Sequence, residues 1–245
     1  MKLPYERPVI TRLTAGPLNK FGPRAGQRAV EALDGVPVAR LREAFGSPLF
    51  VLSEATLRRA YHRAVRAFGT RYPAVQLAWS YKTNYLNAVC RVLHQEGAWA
   101  EVVSGMELEK AVRNGVPGNR ILFNGPAKSG ADLRRAVALD AVIHLDHFDE
   151  LHTLLALAPE LPRRPRVAVR VSLDTGHYPR WDRFGFPLET GQAWQAVERV
   201  AASPALELVG LHCHIGTFVT EPRAYAVAAE QLSRLALRAR RELGA

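Results

Sequence analysis

Residues 75–87 read VQLAWSYKTNYLN, and this stretch decides between the two folds that the rest of the chain allows. It is a β-rich run followed at once by a lysine and an asparagine, where a Rossmann sheet would place a glycine-rich phosphate-binding turn. A (β/α)8 barrel instead collects polar residues at the carboxyl ends of its strands. Lys82 and Asn84 stand at such an end, so the stretch favours the barrel.

Outward from this stretch, short β-rich runs alternate with helical patterns, which predicts βα units and a parallel sheet. The predicted strands are 47–53, 75–84, 98–105, 121–126, 141–147, 166–173 and 206–217. Apolar residues spaced by three and four predict helices over 55–68, 86–97, 106–115, 131–140, 148–158, 191–203 and 222–244. Gly97 and Gly115 fall where helix C-caps are expected.

The strands from residue 75 onward all end in polar side chains, as in the mouth of a barrel. These are Lys82, Asn84, Glu101, Ser104, Asn124, His144, Asp146, Arg170, His212 and His214. We predict an α/β fold in which residues 1–53 lead into an incomplete (β/α)8 barrel over residues 54–245. The count reaches about six strands where a closed barrel of this kind has eight, so we expect an open wall and a truncated chain.

Composition restricts the function classes. The net charge of +10 comes mainly from arginines spread along the chain, without basic runs interleaved with aromatics, so nucleic-acid binding is not indicated. An anionic cofactor or substrate suits the charge equally well. An apolar run long enough for a membrane span is absent, and the start lacks the pattern of a secretory signal. Cys90 and Cys213 make no disulfide framework, and we predict a cytoplasmic protein.

Lys82 is the first candidate for chemistry. Strand alternation puts Ala78, Ser80, Lys82 and Asn84 on one face, and the bulky Leu77, Trp79 and Tyr81 on the other. A lysine directed into a barrel mouth would lose solvation and deprotonate more easily, as imine formation with an aldehyde requires. By itself, however, the residue could equally be a strand-end lysine that reaches water.

The segment GLHCHIGT (210–217) is the second candidate. His212 and His214 share one face of a strand, but a matching third metal ligand is lacking, so no metal site is predicted. One imidazole could stack on a flat ring while the Gly216–Thr217 turn offers N–H groups and a hydroxyl to a phosphate. Alternatively, the histidines are hydrogen-bonded to neighbouring residues, and for His212 this alternative stays open.

Together these segments resemble the fold-type III pyridoxal-phosphate decarboxylases, which share the alanine-racemase type of TIM-like barrel and include diaminopimelate, ornithine and arginine decarboxylases. The likeness runs in order over roughly residues 45–235. It rests on SYKTN (80–84), EVVSGMEL (101–108), FNGPAKS (123–129), RVAVRV (166–171), RFG (183–185) and GLHCHIGT (210–217). The last segment differs by one letter from the family's G-L-H-C-H-I-G-S, and it is closest to the diaminopimelate branch.

The resemblance implies pyridoxal 5′-phosphate as cofactor, an amino-acid substrate and a homodimer. It makes Lys82 the Schiff-base lysine and His214 the ring-stacking histidine, both catalytic. The cofactor-binding set is Lys82, Glu101, Arg170, His214, Gly216 and Thr217. Glu101 stands where aspartate is usual and Arg183 where lysine is usual.

The family's glycine-rich phosphate loop, its E-P-G-R segment and its Cys-x-S-x-D segment have no counterpart in residues 1–245. We therefore expect this chain alone to be a poor catalyst. Meso-diaminopimelate is the expected substrate. Other basic amino acids, a racemase reaction and a non-catalytic cofactor-binding homologue remain alternatives. No C-terminal β-domain is expected within the chain.

Overall fold

The structure, a computed structural model, describes residues 30–244, and the chain divides into two compact units, the first ending at Ser53 and the second beginning at Glu54. In the first unit, strands β1 (Ala32–Leu33) and β2 (Val36–Pro37) form an antiparallel hairpin. Asp34 and Gly35 connect them, both with positive φ, as a two-residue hairpin turn requires. Helix α1 (Val38–Phe45) follows directly.

The strand predicted over residues 47–53 was wrong. The segment forms no strand in the described structure, and its central Phe50 is 98% exposed. Pro48 has no N–H to give to a ladder, and no neighbouring strand pairs with the apolar residues that follow. A run of β-branched and aromatic residues therefore remained without the packing that makes such runs into strands.

The second unit contains the βα pattern expected from the sequence. Its strands are β3 (Ala78–Ser80), β4 (Trp99–Val102), β5 (Ile121–Phe123), β6 (Val142–Leu145), β7 (Arg166–Ser172), β8 (Phe186–Pro187) and β9 (Glu207–Cys213). Its α-helices are α2 (Glu54–Gly69), α3 (Asn87–Gln95), α4 (Gly105–Arg113), α5 (Gly130–Ala138), α6 (Phe148–Leu157), α7 (Gln192–Ala202) and α8 (Pro222–Leu243). None of the described helices is both long and apolar enough to cross a bilayer. The two-residue β8 was not predicted, because so short a segment carries no periodicity.

All pairings in the sheet of this unit are parallel, and the strands follow chain order: β3-β4-β5-β6-β7-β9. The short β8 pairs with the carboxyl end of β7. A doubly wound sheet reverses its strand order at a switch point, and this sheet does not. Within residues 30–244, β3 and β9 each pair on one side only, so the sheet is an open barrel wall. The predicted six-stranded, incomplete barrel is confirmed.

Capping residues determine where the helices between the strands begin and end. Ser104 and Ser129 are N-caps of α4 and α5, with side chains that accept the N–H of Glu107 and Asp132. Gly97 and Gly115 have positive φ just past the ends of α3 and α4, as predicted. The helices α4 to α8 bury apolar residues against the strands in one core, and α3 places Val89 and Leu93 in a second, smaller cluster. This rigid frame brings the carboxyl ends of the strands together.

Candidate active site

Lys82 lies in a turn immediately after β3, two residues beyond the strand end. The N–H of Tyr81 still bonds to the carbonyl of Glu101, and Thr83 then turns back to the carbonyl of Ser80. The predicted alternation therefore holds only as far as Tyr81. Lys82 is exposed, so the expected loss of solvation is not found. Its ammonium group makes no hydrogen bond or ion pair with any described residue.

Glu101, on β4, is paired in register with Ser80 at the end of β3. Its carboxylate accepts hydrogen bonds from the hydroxyl of Ser80 and, at 3.1 Å, from Nδ2 of Asn124. Three adjacent strand ends are thus tied together through one side chain. Among residues 30–244 the carboxylate has no ion-pair partner, so no cation of the described chain neutralises it directly.

Arg170 is buried on β7 and forms an ion pair with Asp146, with 2.7 Å between Nη1 and Oδ1 and both side chains 5% exposed. Its guanidinium also lies 5.1 Å from the ring centre of Phe184. Buried charges are tolerated when they are paired, and this pair joins the ends of β6 and β7. Arg170 therefore underlies the site as a fixed positive charge.

His214 follows β9, and its imidazole is half-buried. Burial lowers the pKa of this imidazole, and the positive charges of Lys82 and then Arg170 lower it further, while Glu101 acts in the opposite direction. The charges of three residues from three other strand ends therefore reach the ring. Convergence of all four residues on one bound cofactor stays a prediction.

The Gly216–Thr217 turn closes the same edge. Gly216 has φ +136°, a conformation that favours glycine, and a Cβ there would lie 3.3 Å from Cγ2 of Val219. Thr217 is exposed, and its hydroxyl makes no hydrogen bond within residues 30–244. A free hydroxyl beside a glycine turn is a suitable place for a phosphate group.

A cluster behind the site was not included among the predicted site residues. The rings of His144 and His212 lie 4.7 Å apart, and Asn124 Nδ2 is 3.4 Å from Nε2 of His212. Burial lowers the pKa of His144 to about 3, with Lys128 and Arg170 adding to the effect, and burial likewise lowers that of His212. Both rings are thus neutral. The sequence did contain a signal for this cluster, because Asn124, His144 and His212 are polar residues near the carboxyl ends of predicted strands.

Ser104 and Glu107, which match the family motif, form hydrogen bonds with the backbone at the start of α4. Glu107 accepts the N–H of Val103 at 2.8 Å, and its own N–H is bonded to Ser104. Burial raises the pKa of Glu107, the charge of Glu101 adds to the rise, and Lys82 opposes it. Glu107 therefore fixes the start of α4 and also lies within electrostatic reach of Lys82.

These residues fit pyridoxal phosphate. The unpaired amine of Lys82 can bond to an aldehyde, and the imidazole of His214 is flat and free of hydrogen bonds to described residues. The glycine turn and the hydroxyl of Thr217 complete a place for the phosphate. An accessible amine, a flat aromatic ring and a glycine turn on a barrel wall are the groups that a phosphorylated aldehyde cofactor would need.

Comparison with known proteins gives the family. Residues 54–245 match the family described as the pyridoxal-binding domain of the pyridoxal-dependent decarboxylases. The chain belongs to this family, as the sequence motifs predicted.

Two relatives are named diaminopimelate decarboxylase. The protein from Actinosynnema pretiosum subsp. auranticum is 36% identical over 217 residues, which cover 84% of this chain and 48% of that protein. The protein from Bacillus subtilis is 32% identical over 220 residues, covering 85% and 50%. The chain thus spans about half the length of the curated relatives it matches.

Solved structures of decarboxylases share the fold of this chain. Diaminopimelate decarboxylase from M. jannaschii in complex with L-lysine superposes with a TM-score of 0.80 at 28% identity, over 86% of this chain and 52% of that one. Lysine/ornithine decarboxylase from Vibrio vulnificus in complex with putrescine gives 0.68 at 26% identity, over 82% and 51%. The fold is therefore that of the fold-type III decarboxylases.

Proposed function

We propose that this chain is the pyridoxal-phosphate-binding part of an amino-acid decarboxylase, with meso-diaminopimelate as the substrate and lysine as the product. The observation that carries the proposal is the exposed amine of Lys82, which has no hydrogen-bond or ion-pair partner among the described residues and whose charge reaches the imidazole of His214. The choice of substrate is supported by the names of the relatives in both comparisons.

When bound, the cofactor supplies a ring that accepts the electrons left behind as the substrate carboxylate departs as carbon dioxide. We assign the following roles to the residues of this chain. Lys82 Nζ holds the cofactor covalently. His214 lies against the ring and keeps water from that side, and Thr217 with the Gly216 turn binds the phosphate. Glu101 keeps a negative charge within reach of His214, and Arg170 is held on β7 by its ion pair with Asp146.

Covalent attachment tests the proposal directly. On addition of pyridoxal phosphate, the chain should develop a visible absorbance band that borohydride reduction makes permanent on Lys82. Lys82→Ala should lose the band. Lys110→Ala is the matched control, because Lys110 lies 4.9 Å over the ring of Tyr85, outside the site. A band of equal size in Lys82→Ala would contradict the assignment.

Carbon dioxide release from diaminopimelate, lysine, ornithine and arginine tests the substrate. The assay should use this chain and, as a separate protein, any extension of its reading frame past residue 245. We expect release from diaminopimelate with the longer protein. Preferential release from ornithine or arginine would refute the substrate and retain the reaction. Binding without release from any of the four would favour a non-catalytic homologue.

We also propose that the complete protein is a cytoplasmic homodimer. Both described cysteines, Cys90 and Cys213, are free thiols, which suits a reducing compartment. The homodimer follows from the family resemblance. Sedimentation of the longer protein should give twice the monomer mass, and a monomer at micromolar concentration would contradict this.

A further inference from the structure

The loop between β7 and β8, residues 173–185, carries aromatic side chains onto two of the predicted cofactor residues. The ring of Trp181 lies 5.4 Å from the ring of His214, centre to centre, at an angle of 81°. Phe184 lies 5.1 Å from the guanidinium of Arg170. One loop therefore contacts both the proposed ring-stacking residue and the cation beneath it.

The loop is fastened at several points. The hydroxyl of Ser172 donates to the carbonyl of Trp181 at 3.1 Å. A Cβ at Gly185, where φ is +87°, would lie 2.9 Å from the carbonyl oxygen of Arg170, so the loop runs close against β7. The hydroxyl oxygen of Tyr178 accepts the N–H groups of Thr220 and Glu221, at 3.0 and 3.1 Å. This last contact ties the loop to the segment that follows Thr217.

His214 depends on packing for its orientation. Its imidazole makes no hydrogen bond or ion pair with any residue in the described range 30–244, so no acceptor or donor sets the plane of the ring. Trp181 is the aromatic ring in edge contact with it. Rotation of either ring in such a perpendicular pair would produce a clash, because packed side chains leave little free volume.

A requirement for stability alone does not explain why residue 181 is a tryptophan. Its Nε1 has no solvent-accessible surface and no hydrogen-bond partner in the described structure. A buried donor without an acceptor costs free energy, and a phenylalanine would fill apolar space without that cost. The guanidinium of Arg183 lies 5.0 Å from the centre of the indole. The indole is thus in contact with both a cation and the imidazole.

We infer that Trp181 is a positioning residue that fixes the plane of the His214 ring for contact with the cofactor. The inference rests on the proposed function in one respect, namely that His214 contacts the ring of the cofactor. The contact between the two side chains can be tested without cofactor. Arg183, in the position where the family usually has lysine, packs its guanidinium over the indole.

The experiment follows the His214 imidazole by NMR in the histidine-labelled chain, with His214→Gln to assign the signal. The variants are Trp181→Phe, Trp181→Leu and Trp181→Ala. Trp194→Leu is the matched control, because Trp194 on α7 also packs under an arginine, with 3.6 Å to Arg238. Far-ultraviolet circular dichroism establishes whether each variant is folded. The test can be completed if either truncated variant, Trp181→Leu or Trp181→Ala, is folded.

In the wild type, burial keeps the pKa of His214 low, with Lys82, Arg170 and Glu101 as the charges that face it. Loss of the aromatic ring in Trp181→Leu or Trp181→Ala should admit water and raise that pKa by about half a unit or more. Trp181→Phe should keep the wild-type value, because the edge contact is retained. Trp194→Leu should leave the His214 signal unchanged.

A second readout is the sign and size of the circular dichroism induced in the absorbance band of bound pyridoxal phosphate. This signal should weaken in the two truncations and persist in Trp181→Phe. Wild-type titration of His214 and wild-type dichroism in a folded truncation would overturn the inference. If the wild-type chain does not attach the cofactor, the proposed function fails, and the titration still decides whether Trp181 positions His214.

Discussion

The buried ion pair between Lys128 and Glu150 offers the most exact prediction on stability. Their side chains are 0% and 2% exposed, with 2.7 Å between Nζ and Oε1. The ammonium group also donates to the carbonyls of Gly125 and His144, at 2.7 and 2.9 Å, so all three of its hydrogens are used. The other carboxylate oxygen accepts the N–H of Asp146 at 2.9 Å. One lysine therefore joins the ends of β5 and β6 to α6.

Lys128→Met should destabilise the chain strongly, because it leaves the Glu150 carboxylate buried without a cation and two buried carbonyls without a donor. Removal of one partner from a buried pair costs about 3–5 kcal/mol. For a chain of this size, that corresponds to a fall in Tm of roughly 6–20 °C. The cost is a large fraction of the total stability of a typical protein, about 5–15 kcal/mol.

Urea unfolding followed by circular dichroism measures the change. The double variant Lys128→Met/Glu150→Gln should recover part of the loss, since the amide is neutral and its oxygen can still accept the N–H of Asp146. Arg234→Met is the exposed control: its partner is Glu230, and their side chains are 77% and 60% exposed, so we expect no measurable change. A loss below about 1 kcal/mol for Lys128→Met would refute the reasoning.

Three further predictions concern the frame around the site. His144 is neutral when folded, with a pKa of about 3, but titrates near 6.5 when unfolded, so its contribution to stability is full above pH 6.5 and falls as the pH drops toward 3. Between pH 7.5 and pH 5, protonation of His144 in the unfolded state should lower the free energy of unfolding by about 2 kcal/mol. His144→Phe should remove that part of the pH dependence in urea titrations at the two pH values. Gly125→Ala should destabilise the chain by more than about 1 kcal/mol in the same assay, because φ is +101° and the new Cβ would lie 2.4 Å from the carbonyl oxygen of Val103. Ser129→Ala should cost about 1 kcal/mol through loss of the capping box with Asp132, and Ser129→Asn should restore most of it. Equal acid sensitivity in His144→Phe, or wild-type stability in either of the other two variants, would contradict the corresponding argument.

The site has two layers that differ in how they are held. Lys82, His214 and Thr217 stand at the rim with no hydrogen bonds to described residues, and they are the groups to which we assign contact with the cofactor. Below them, Glu101 and Arg170 are fixed by hydrogen bonds and an ion pair. Rigid groups beneath accessible ones are the arrangement that a cofactor site needs, because the lower layer sets the electrostatics without moving.

The sequence by itself determined the class of fold, the family and the order of the βα units. Periodicity and caps are local signals, so the helices of the second unit were predicted to within a few residues at each end, whereas α1 and the β1–β2 hairpin were not predicted. The lysine after β3 and the GLHCHIGT segment were recognisable for the same reason, since each is a short motif. Local signals wrongly predicted a strand over residues 47–53, where no neighbouring strand is available for pairing. They also predicted that the strand before Lys82 would include this lysine, whereas β3 ends at Ser80.

Only the tertiary structure decided which distant side chains meet. The stacking of His144 on His212, the burial of Lys128 with Glu150 and the contact of Trp181 with His214 each join residues from different βα units. Their proximity depends on the register of parallel strands and on the path of one loop, and neither leaves a periodic trace in the sequence. Burial then changed the chemistry of these groups, because a histidine or lysine removed from water has a pKa that its neighbours along the chain do not determine.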